Sequence, residues 1–260
     1  MITKLAYNAL IKEVELTPKP GLVDKGNNGS HKDMNIQTFY NSAEAIKPFI
    51  DEFYKCGNDF DGLRKIGIEC EKAMFLTTNG INTHKGMIFS LAVICGALGS
   101  VGYTCLKTLR GEIKYICKDL VQNDLEKALH VKTHGERFYA QTKSEGIRGE
   151  ASRGYPTIFE KSLPFFLEQQ NKYGEDIALK LTLLLLMSIT EDSTLFARGG
   201  LEGLRFVQKE AKKLLHVKDI SLLEDCLNEF DEVMIEKNLS AGGSADLLGL
   251  TWFLAQLDML

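Results

Sequence analysis

The sequence lacks the patterns that are typical of β-strands. No run of about four to eight residues alternates β-branched with polar side chains, and no Asn-Gly pair joins two such runs. Only 5 of the 260 residues are proline, and no stretch has the Ser/Gly-rich composition of a flexible linker. These absences argue against an all-β fold and predict that residues 1–260 form a single domain.

Motifs of several well-characterised chemistries are missing too. The sequence has no GxxxxGKS/T phosphate loop, no HExxH and no Cys/His pattern with zinc spacing, and its 6 cysteines are scattered. His130 and His134 would share a helix face, but no third zinc ligand follows at a fixed spacing. The net charge of -4 argues against a nucleic-acid-binding protein. The N-terminus shows no signal-peptide pattern, so we expect a cytoplasmic protein.

Helical periodicity, by contrast, extends over most of the chain. A first apolar stripe is formed by Leu5, Ala9, Leu10 and Val14 and ends before Pro18. The further predicted helices are Phe39–Tyr54, Leu63–Leu76, Lys85–Val101, Thr108–Leu129, Ile158–Tyr173, Asp176–Ile189, Leu201–Leu215, Ser221–Lys237 and Ser244–Leu257. We therefore predict an all-α fold, a single compact bundle of about nine to eleven helices.

The segment Met87–Gly102, MIFSLAVICGALGSVG, is apolar almost throughout. It is shorter than the ~20 residues that a membrane-spanning helix needs. We interpret it as the central buried helix of the bundle, and we expect no membrane association. The helix that contains Leu179, Leu183 and Met187 is apolar on most faces, so we expect it to be buried as well. Buried apolar helices often support dimers, and a homodimer is compatible with this pattern.

Five joints between the predicted helices are rich in glycine and in charged residues, which is unusual for simple connections. The first two are Thr17–Met34, TPKPGLVDKGNNGSHKDM, and Thr77–Gly86, TTNGINTHKG. In the second joint we expect Thr83 to cap a helix that begins with His84 and Lys85. Cations in a first helical turn oppose the helix dipole, so they indicate a bound anion such as phosphate. The alternatives are a solvated surface loop and a capped helix with solvated side chains.

The other three joints are Gly146–Tyr155, GIRGEASRGY; Glu191–Gly200, EDSTLFARGG; and Ser240–Leu248, SAGGSADLL. In the first of these three joints, arginines between glycines match phosphate oxygens, or they form an internal ion pair. In the second, adjacent carboxylates suit Mg²⁺, or they are acids at a helix start. In the third, a Gly-Gly-Ser turn before a helix suits phosphate, or it is a simple helix cap.

In this order, the joints resemble the triphosphoribosyl-dephospho-CoA synthase family. The residues that carry the resemblance are LTPKPGLVD, GSHKDM, TNGINTHKG, GIRGEASRGY, DSTLFARGG and GGSADLL, between residues 16 and 248. Members of this family help to make the prosthetic group of citrate lyase or malonate decarboxylase.

The resemblance implies a transferase that uses ATP and 3′-dephospho-CoA. The products are 2′-(5″-triphosphoribosyl)-3′-dephospho-CoA, which a holo-acyl-carrier-protein synthase consumes, and free adenine. Two polyanionic substrates agree with cationic joints on an acidic chain, and no phosphate loop is needed because no phosphoryl group is transferred. The alternatives are an adenine-releasing nucleotide glycohydrolase and a non-catalytic helical nucleotide-binding protein.

All expected site residues lie in the matched motifs. We expect a catalytic role first for Glu150, and then for Asp33 and His31. Substrate binding is expected from Lys19, His84, Lys85, Arg148, Arg198, Gly199, Gly242, Gly243 and Ser244. Mg²⁺ that bridges the ATP phosphates is expected at Asp24, Asp192 and Asp246.

Overall fold

The computed structural model describes residues 1–102, 105–127, 133–217 and 219–258. In these ranges the chain forms twelve α-helices and no β-strand, so the all-α prediction is confirmed. The helices are α1 (Ile2–Glu15), α2 (Ile36–Cys56), α3 (Phe60–Thr77), α4 (Lys85–Val101), α5 (Leu106–Ile116), α6 (His134–Thr142), α7 (Gly146–Ser152), α8 (Leu163–Tyr173), α9 (Glu175–Ile189), α10 (Ser193–Leu214), α11 (Leu223–Glu236) and α12 (Gly242–Asp258).

Several joints that we expected to be loops are helical in part. The short helix α7 lies inside the Gly146–Tyr155 joint, and α6 precedes it. Helix α10 begins at Ser193, well before the predicted start at Leu201, and bends at Gly200, whose φ is 62°. Short or glycine-containing helical turns have no long apolar stripe, and periodicity alone therefore misses them. For this reason the helix count slightly exceeds the predicted range.

The predicted helix Thr108–Leu129 is divided in the structure. Helix α5 ends at Ile116, and a π-helical turn follows at Gln122–Glu126. Leu129 and His130 lie outside the described residues, so the pair of histidines that we considered for zinc has no structural description. Within the described ranges, no group of three His, Cys, Asp or Glu residues is placed to hold a metal ion.

The centre of the bundle is formed by α4, α9 and α12. Helix α4 is buried from Ser90 to Leu98, and α12 is buried over most of its length. Leu183 and Met187 of α9 are buried too, so both predictions of buried apolar helices are confirmed. In the described part of the chain no single helix is long and apolar enough to cross a membrane. Only the sharply bent pair α4 and α5 has the length and composition when taken together.

Glycines allow α4 to lie very close to α2. A Cβ atom added at Gly99 would be 1.7 Å from the carbonyl oxygen of Tyr54 near the end of α2. A Cβ atom added at Gly96 would be 2.6 Å from the carbonyl oxygen of Gly57. No side chain fits at either position unless the two helices separate. The small residues of α4 therefore determine how near α2 can approach.

We predict that Gly99→Ala lowers the free energy of unfolding by about 1–3 kcal/mol, because the added methyl group forces α4 away from α2. Urea unfolding measures the change as a lower midpoint. Gly67→Ala in α3 is the matched control, because a Cβ atom there meets nothing within 4 Å. That control should be equally or more stable than the parent, since alanine favours helix over glycine. Equal destabilisation by both changes would contradict the close approach.

Candidate active site

A buried carboxylate joins the beginnings of two helices. Asp192 precedes α10, and its Oδ1 accepts hydrogen bonds from the backbone N–H groups of Thr194 (2.9 Å) and Leu195 (3.2 Å). Its Oδ2 accepts from the backbone N–H and the hydroxyl of Ser244, at 2.8 and 3.1 Å, in the first turn of α12. Both oxygens of Asp192 are thus occupied, and the N-termini of α10 and α12 are held side by side.

The beginning of α4 lies beside the starts of α10 and α12. A Cβ atom added at Gly86 would lie 2.2 Å from Oδ2 of Asp246, so the carboxyl group of Asp246 rests against the first turn of α4. Only glycine leaves room for it. The N-termini of α4, α10 and α12 therefore converge, and each contributes the partial positive charge of its helix dipole.

A buried lysine lies beside these helix ends. Lys19 is 1% exposed, and its Nζ donates to the carbonyl oxygen of Glu13 (3.0 Å) and to the Glu13 carboxylate (2.5 Å). The charge of Lys19 also acts on His84 and Asp246, lowering the pKa of each. Glu13 at the end of α1, the loop that follows it, α4 and α12 thus share one interior region. We name its members the buried polar centre: Glu13, Lys19, His84, Tyr155, Asp192, Ser244 and Asp246.

The buried polar centre contains more carboxyl groups than cations. Burial raises the pKa of Asp246 well above its usual value, and the carboxylates of Glu13 and Asp192 raise it further, while Lys19 opposes them. Burial also raises the pKa of Asp192, although hydrogen bonds from Ser244 and from the start of α10 act in the opposite direction. A ligand that brings hydrogen-bond donors or a cation would relieve this repulsion.

His84 presents a ring nitrogen with no partner. Its Nδ1 lies 2.7 Å from the hydroxyl of Ser42, and that hydroxyl accepts from the Thr83 hydroxyl at 2.7 Å. A hydroxyl oxygen can accept two hydrogen bonds, so Nδ1 can accept from Ser42 or donate to it, and Nε2 then takes the opposite role. That nitrogen is buried and has no hydrogen-bond partner among the described residues. Burial, followed by the charge of Lys19, lowers the pKa of His84 to about 3, so the ring is neutral.

Four hydroxyl groups are also buried without partners in the described structure. Two of them, those of Ser90 in α4 and Tyr155 after α7, lie in this region, and the others belong to Thr182 and Thr190. Tyr155 is 0% exposed. Burial raises the pKa of Tyr155 well above its usual value, and Cys117, Glu150 and Asp246 raise it further; Ser90 opposes them. The Tyr155 hydroxyl therefore stays protonated, close to the charges of Glu150 and Asp246.

His31 and Arg198 form a second cluster, which lies close enough to Lys19 for its charge to act on His31. Arg198 donates to the carbonyl oxygen of Ser30 (2.9 Å), to Oδ1 of Asn238 (2.8 Å) and to Nδ1 of His31 (3.0 Å). Since arginine only donates, the His31 proton lies on Nε2, which donates to the hydroxyl of Ser240 at 2.9 Å. Burial and then the charge of Arg198 lower the pKa of His31 to about 4. These contacts tie the loop after α1 to the segment between α11 and α12.

The comparisons with known proteins agree with one another. A sequence profile of the CitG family, described as ATP:dephospho-CoA triphosphoribosyl transferase, matches residues 1–260. The chain belongs to this transferase family. A protein of Vibrio cholerae serotype O1 named "Probable 2-(5''-triphosphoribosyl)-3'-dephosphocoenzyme-A synthase" is 44% identical over 278 aligned residues, covering 100% of this chain and 89% of that protein. A protein of the same name from Photobacterium profundum is 43% identical and is covered over 88% of its length. No solved structure matches the chain.

The transferase brings together part of the expected site. Lys19, His84, Asp192, Ser244 and Asp246 all belong to the buried polar centre. Gly243 adjoins it, because a Cβ atom there would lie 3.1 Å from Oδ2 of Asp192, and Gly242 precedes it in the first turn of α12. The Gly-Gly pair is thus a helix start and not the open turn that we expected.

Other expected residues have partners outside the centre. Lys85 pairs with Glu71 (2.7 Å), Arg148 bonds Glu136 (3.3 Å), and the Glu150 carboxylate accepts from the N–H (3.1 Å) and hydroxyl (2.9 Å) of Thr157. Their substrate-binding and catalytic roles remain predictions.

The motif residues nearest the chain turns are engaged in local structure. Both carboxylate oxygens of Asp24 accept backbone N–H groups, from Lys19 at 2.9 Å and from Gly26 at 2.6 Å. Gly199 faces the side chain of Leu239, and Asp33 is 62% exposed. The expected cap at Thr83 is wrong: its hydroxyl donates to Ser42, and the residue before α4 makes no side-chain cap.

Sequence reasoning missed three residues near the centre: Glu13, Ser90 and Tyr155. Glu13 stands four positions after Ala9, so it occupies the buried face of α1, and a charged residue in that stripe was the available signal. Ser90 is a polar residue inside the most apolar helix. Tyr155 ends a matched motif, but it has no charge, so it does not stand out among the charged residues of the joints.

We predict that His31→Gln makes the stability of the transferase less sensitive to acid. The folded pKa of His31 is about 4 and the ordinary value is 6.5, so the unfolded chain binds more protons between these values. The contribution of His31 to the free energy of unfolding is complete above pH 6.5 and declines as the pH falls toward 4. The decline is less than ~1.4 kcal/mol per pH unit, which is the value for one proton. Urea unfolding at several pH values measures the slope.

His216→Gln is the matched control for this experiment, since His216 is exposed. It should keep the parent slope. The opposing effect of buried carboxyls such as Asp192 is the same in all three proteins, so the difference in slope reports His31 alone. An unchanged slope in His31→Gln would show that the ring is not held neutral by its surroundings.

Proposed function

We propose that the transferase binds the triphosphate of ATP where α4, α10 and α12 begin, and the ribose of ATP against the buried polar centre. The observation that supports this most is the convergence of the three helix N-termini around Asp192, Ser244 and Gly86. The partial positive charge at the three helix ends suits a polyanion, although Asp192 already accepts the N–H groups of Thr194, Leu195 and Ser244. Lys19 is a buried cation beside these helix ends, and Glu13 pairs with it.

Transfer requires that the bond between C1′ of the ATP ribose and N9 of adenine breaks while the 2′-hydroxyl of dephospho-CoA forms a bond to C1′. The electron pair of the broken bond leaves with adenine, which needs a proton, and the attacking hydroxyl must lose one. Glu150 remains our first choice for the carboxylate that accepts this proton, because its charge is felt at Tyr155. Its bonds to Thr157 hold the carboxylate in one orientation.

We also propose that Mg²⁺ enters with ATP and is held mainly by phosphate oxygens and water. Of the three expected ligands, Asp24 and Asp192 direct their carboxylate oxygens at N–H groups. Only Asp246 has a carboxyl group for which no hydrogen bond is found among the described residues, so it is the residue that fits a single protein ligand.

We predict that chelation of divalent cations abolishes adenine release without changing the melting temperature of the ligand-free protein. The reason is that no described cluster forms a protein-only metal cage. Calorimetric melting with and without chelator, beside an activity assay, gives both values. A large fall in melting temperature on chelation would instead reveal a structural metal.

The finer biological assignments rest on the resemblance to the family. We propose that the product passes to a holo-acyl-carrier-protein synthase and serves citrate lyase or malonate decarboxylase. A homodimer remains compatible with the buried helices.

We predict that adenine is released from ATP only when 3′-dephospho-CoA is present, in equal amounts to the triphosphoribosyl product. Chromatography of the reaction mixture measures both. Adenine released without the acceptor would support the glycohydrolase alternative, because water would then take the place of the hydroxyl. Tight ATP binding with no adenine in either mixture would support a non-catalytic nucleotide-binding protein.

A further inference from the structure

Four buried hydroxyl groups have no hydrogen-bond partner of good geometry among the described residues, and two of them, those of Tyr155 and Ser90, lie beside the proposed site. The Ser90 hydroxyl is close enough to that of Tyr155 to lower its pKa through a hydrogen-bonding contact, but this contact does not reach the geometry of a full hydrogen bond. Leaving a buried hydroxyl without a full hydrogen bond is unfavourable, so such groups usually meet a ligand or an ordered water.

The backbone at Tyr155 is also unusual. Its φ is 47°, in the left-handed region that tyrosine rarely adopts. The N–H of Tyr155 donates to the carbonyl oxygen of Glu150 at 2.6 Å, and its carbonyl oxygen accepts from Ile158 and Phe159, both at 2.9 Å. The side chain that follows this turn is fully buried, and its hydroxyl lies near Ser90 of α4. Unfavourable backbone conformations that persist in a well-packed region are often found at functional sites.

We infer that Tyr155 and Ser90 bind the ribose hydroxyl groups of the nucleotide whose pentose is transferred, and so select a ribonucleotide over a deoxyribonucleotide. This inference rests on the proposed function, because it assigns a substrate group to the same centre. It adds two residues to the site, and it adds a preference for ribonucleotides over deoxyribonucleotides.

The charges around the two hydroxyls favour a ribose over a phosphate. Glu150 and Asp246 both act on Tyr155, and two carboxylates repel a phosphate group that no cation accompanies. Lys19, the cation of the buried polar centre, is paired with Glu13. Each ribose hydroxyl can both donate and accept, as can the hydroxyls of Tyr155 and Ser90, so the two pairs are complementary. His84 Nε2 adds a further unpaired polar atom to the same centre.

The burial of these groups also fits the chemistry of transfer. C1′ becomes electron-deficient as adenine departs, and water at that moment would produce hydrolysis in place of transfer. A ribose held by fully buried hydroxyls is shielded from water on that side. Tyr155 is 0% exposed, so bulk water does not reach its hydroxyl.

The test is the discrimination between ATP and its deoxy analogues. We would measure kcat/KM for ATP, 2′-deoxy-ATP and 3′-deoxy-ATP, each with 3′-dephospho-CoA, in the parent and in Tyr155→Phe. We expect the variant to lose about 10–100-fold with ATP and little with the analogue that lacks the bonded hydroxyl. Ser90→Ala should show the same pattern. Comparing ratios between proteins cancels the intrinsic reactivity of each nucleotide.

Tyr115→Phe is the matched control, because Tyr115 is 57% exposed on α5 and should keep the parent ratios. If Tyr155→Phe and Ser90→Ala slow all three nucleotides by one common factor, their role is structural and the inference is wrong. A parent protein that releases no adenine under any condition would refute the proposed function. In that case the affinities for ATP and the two analogues, measured by calorimetry, still decide whether Tyr155 and Ser90 recognise the ribose.

Discussion

The burial of the Asp192 carboxylate is the constraint on which the site depends. This group can be buried because it accepts N–H groups from the starts of α10 and α12, with the Ser244 hydroxyl added. Each bond uses a donor that no helix can satisfy internally, so the two helices must begin side by side. Once α12 is placed in this way, Asp246 near its start meets α4, and only glycine at position 86 leaves room. The packing of three central elements and the polarity of the site thus have one origin.

The second constraint is the imbalance of charge in the interior. Lys19 is the one cation of the buried polar centre, and Glu13 already bonds it. Buried ion pairs contribute little net stability, because desolvation offsets most of their attraction. The same arrangement is well suited to a polyanionic substrate whose phosphates accept from helix N-termini and whose sugar hydroxyls donate to carboxylates. Interior polar groups without hydrogen bonds to water remain available to bond the substrates.

The residues of the matched motifs do not all have the same role. Asp24 folds its own loop, and Arg198 joins that loop to the segment between α11 and α12 through Ser30, His31 and Asn238. These contacts connect distant parts of the chain around the site and hold Lys19 in position. A motif shared with a family therefore includes residues whose contacts build the local structure. Contacts in the structure identify these residues where spacing in the sequence does not.

The sequence by itself determined the fold class, the buried nature of α4 and α9, and the family, because helix periodicity and the ordered motifs are local properties of the chain. It also indicated Lys19, His84, Asp192 and Asp246, since ionisable residues among glycines are visible without a structure. Only the tertiary structure decided that Asp192 is a bridge between helices, that Glu13 accompanies Lys19, and that the hydroxyls of Ser90 and Tyr155 are unpaired. Those properties depend on which groups are brought together from positions far apart in the chain, and burial and hydrogen-bond satisfaction are fixed only when the helices have packed.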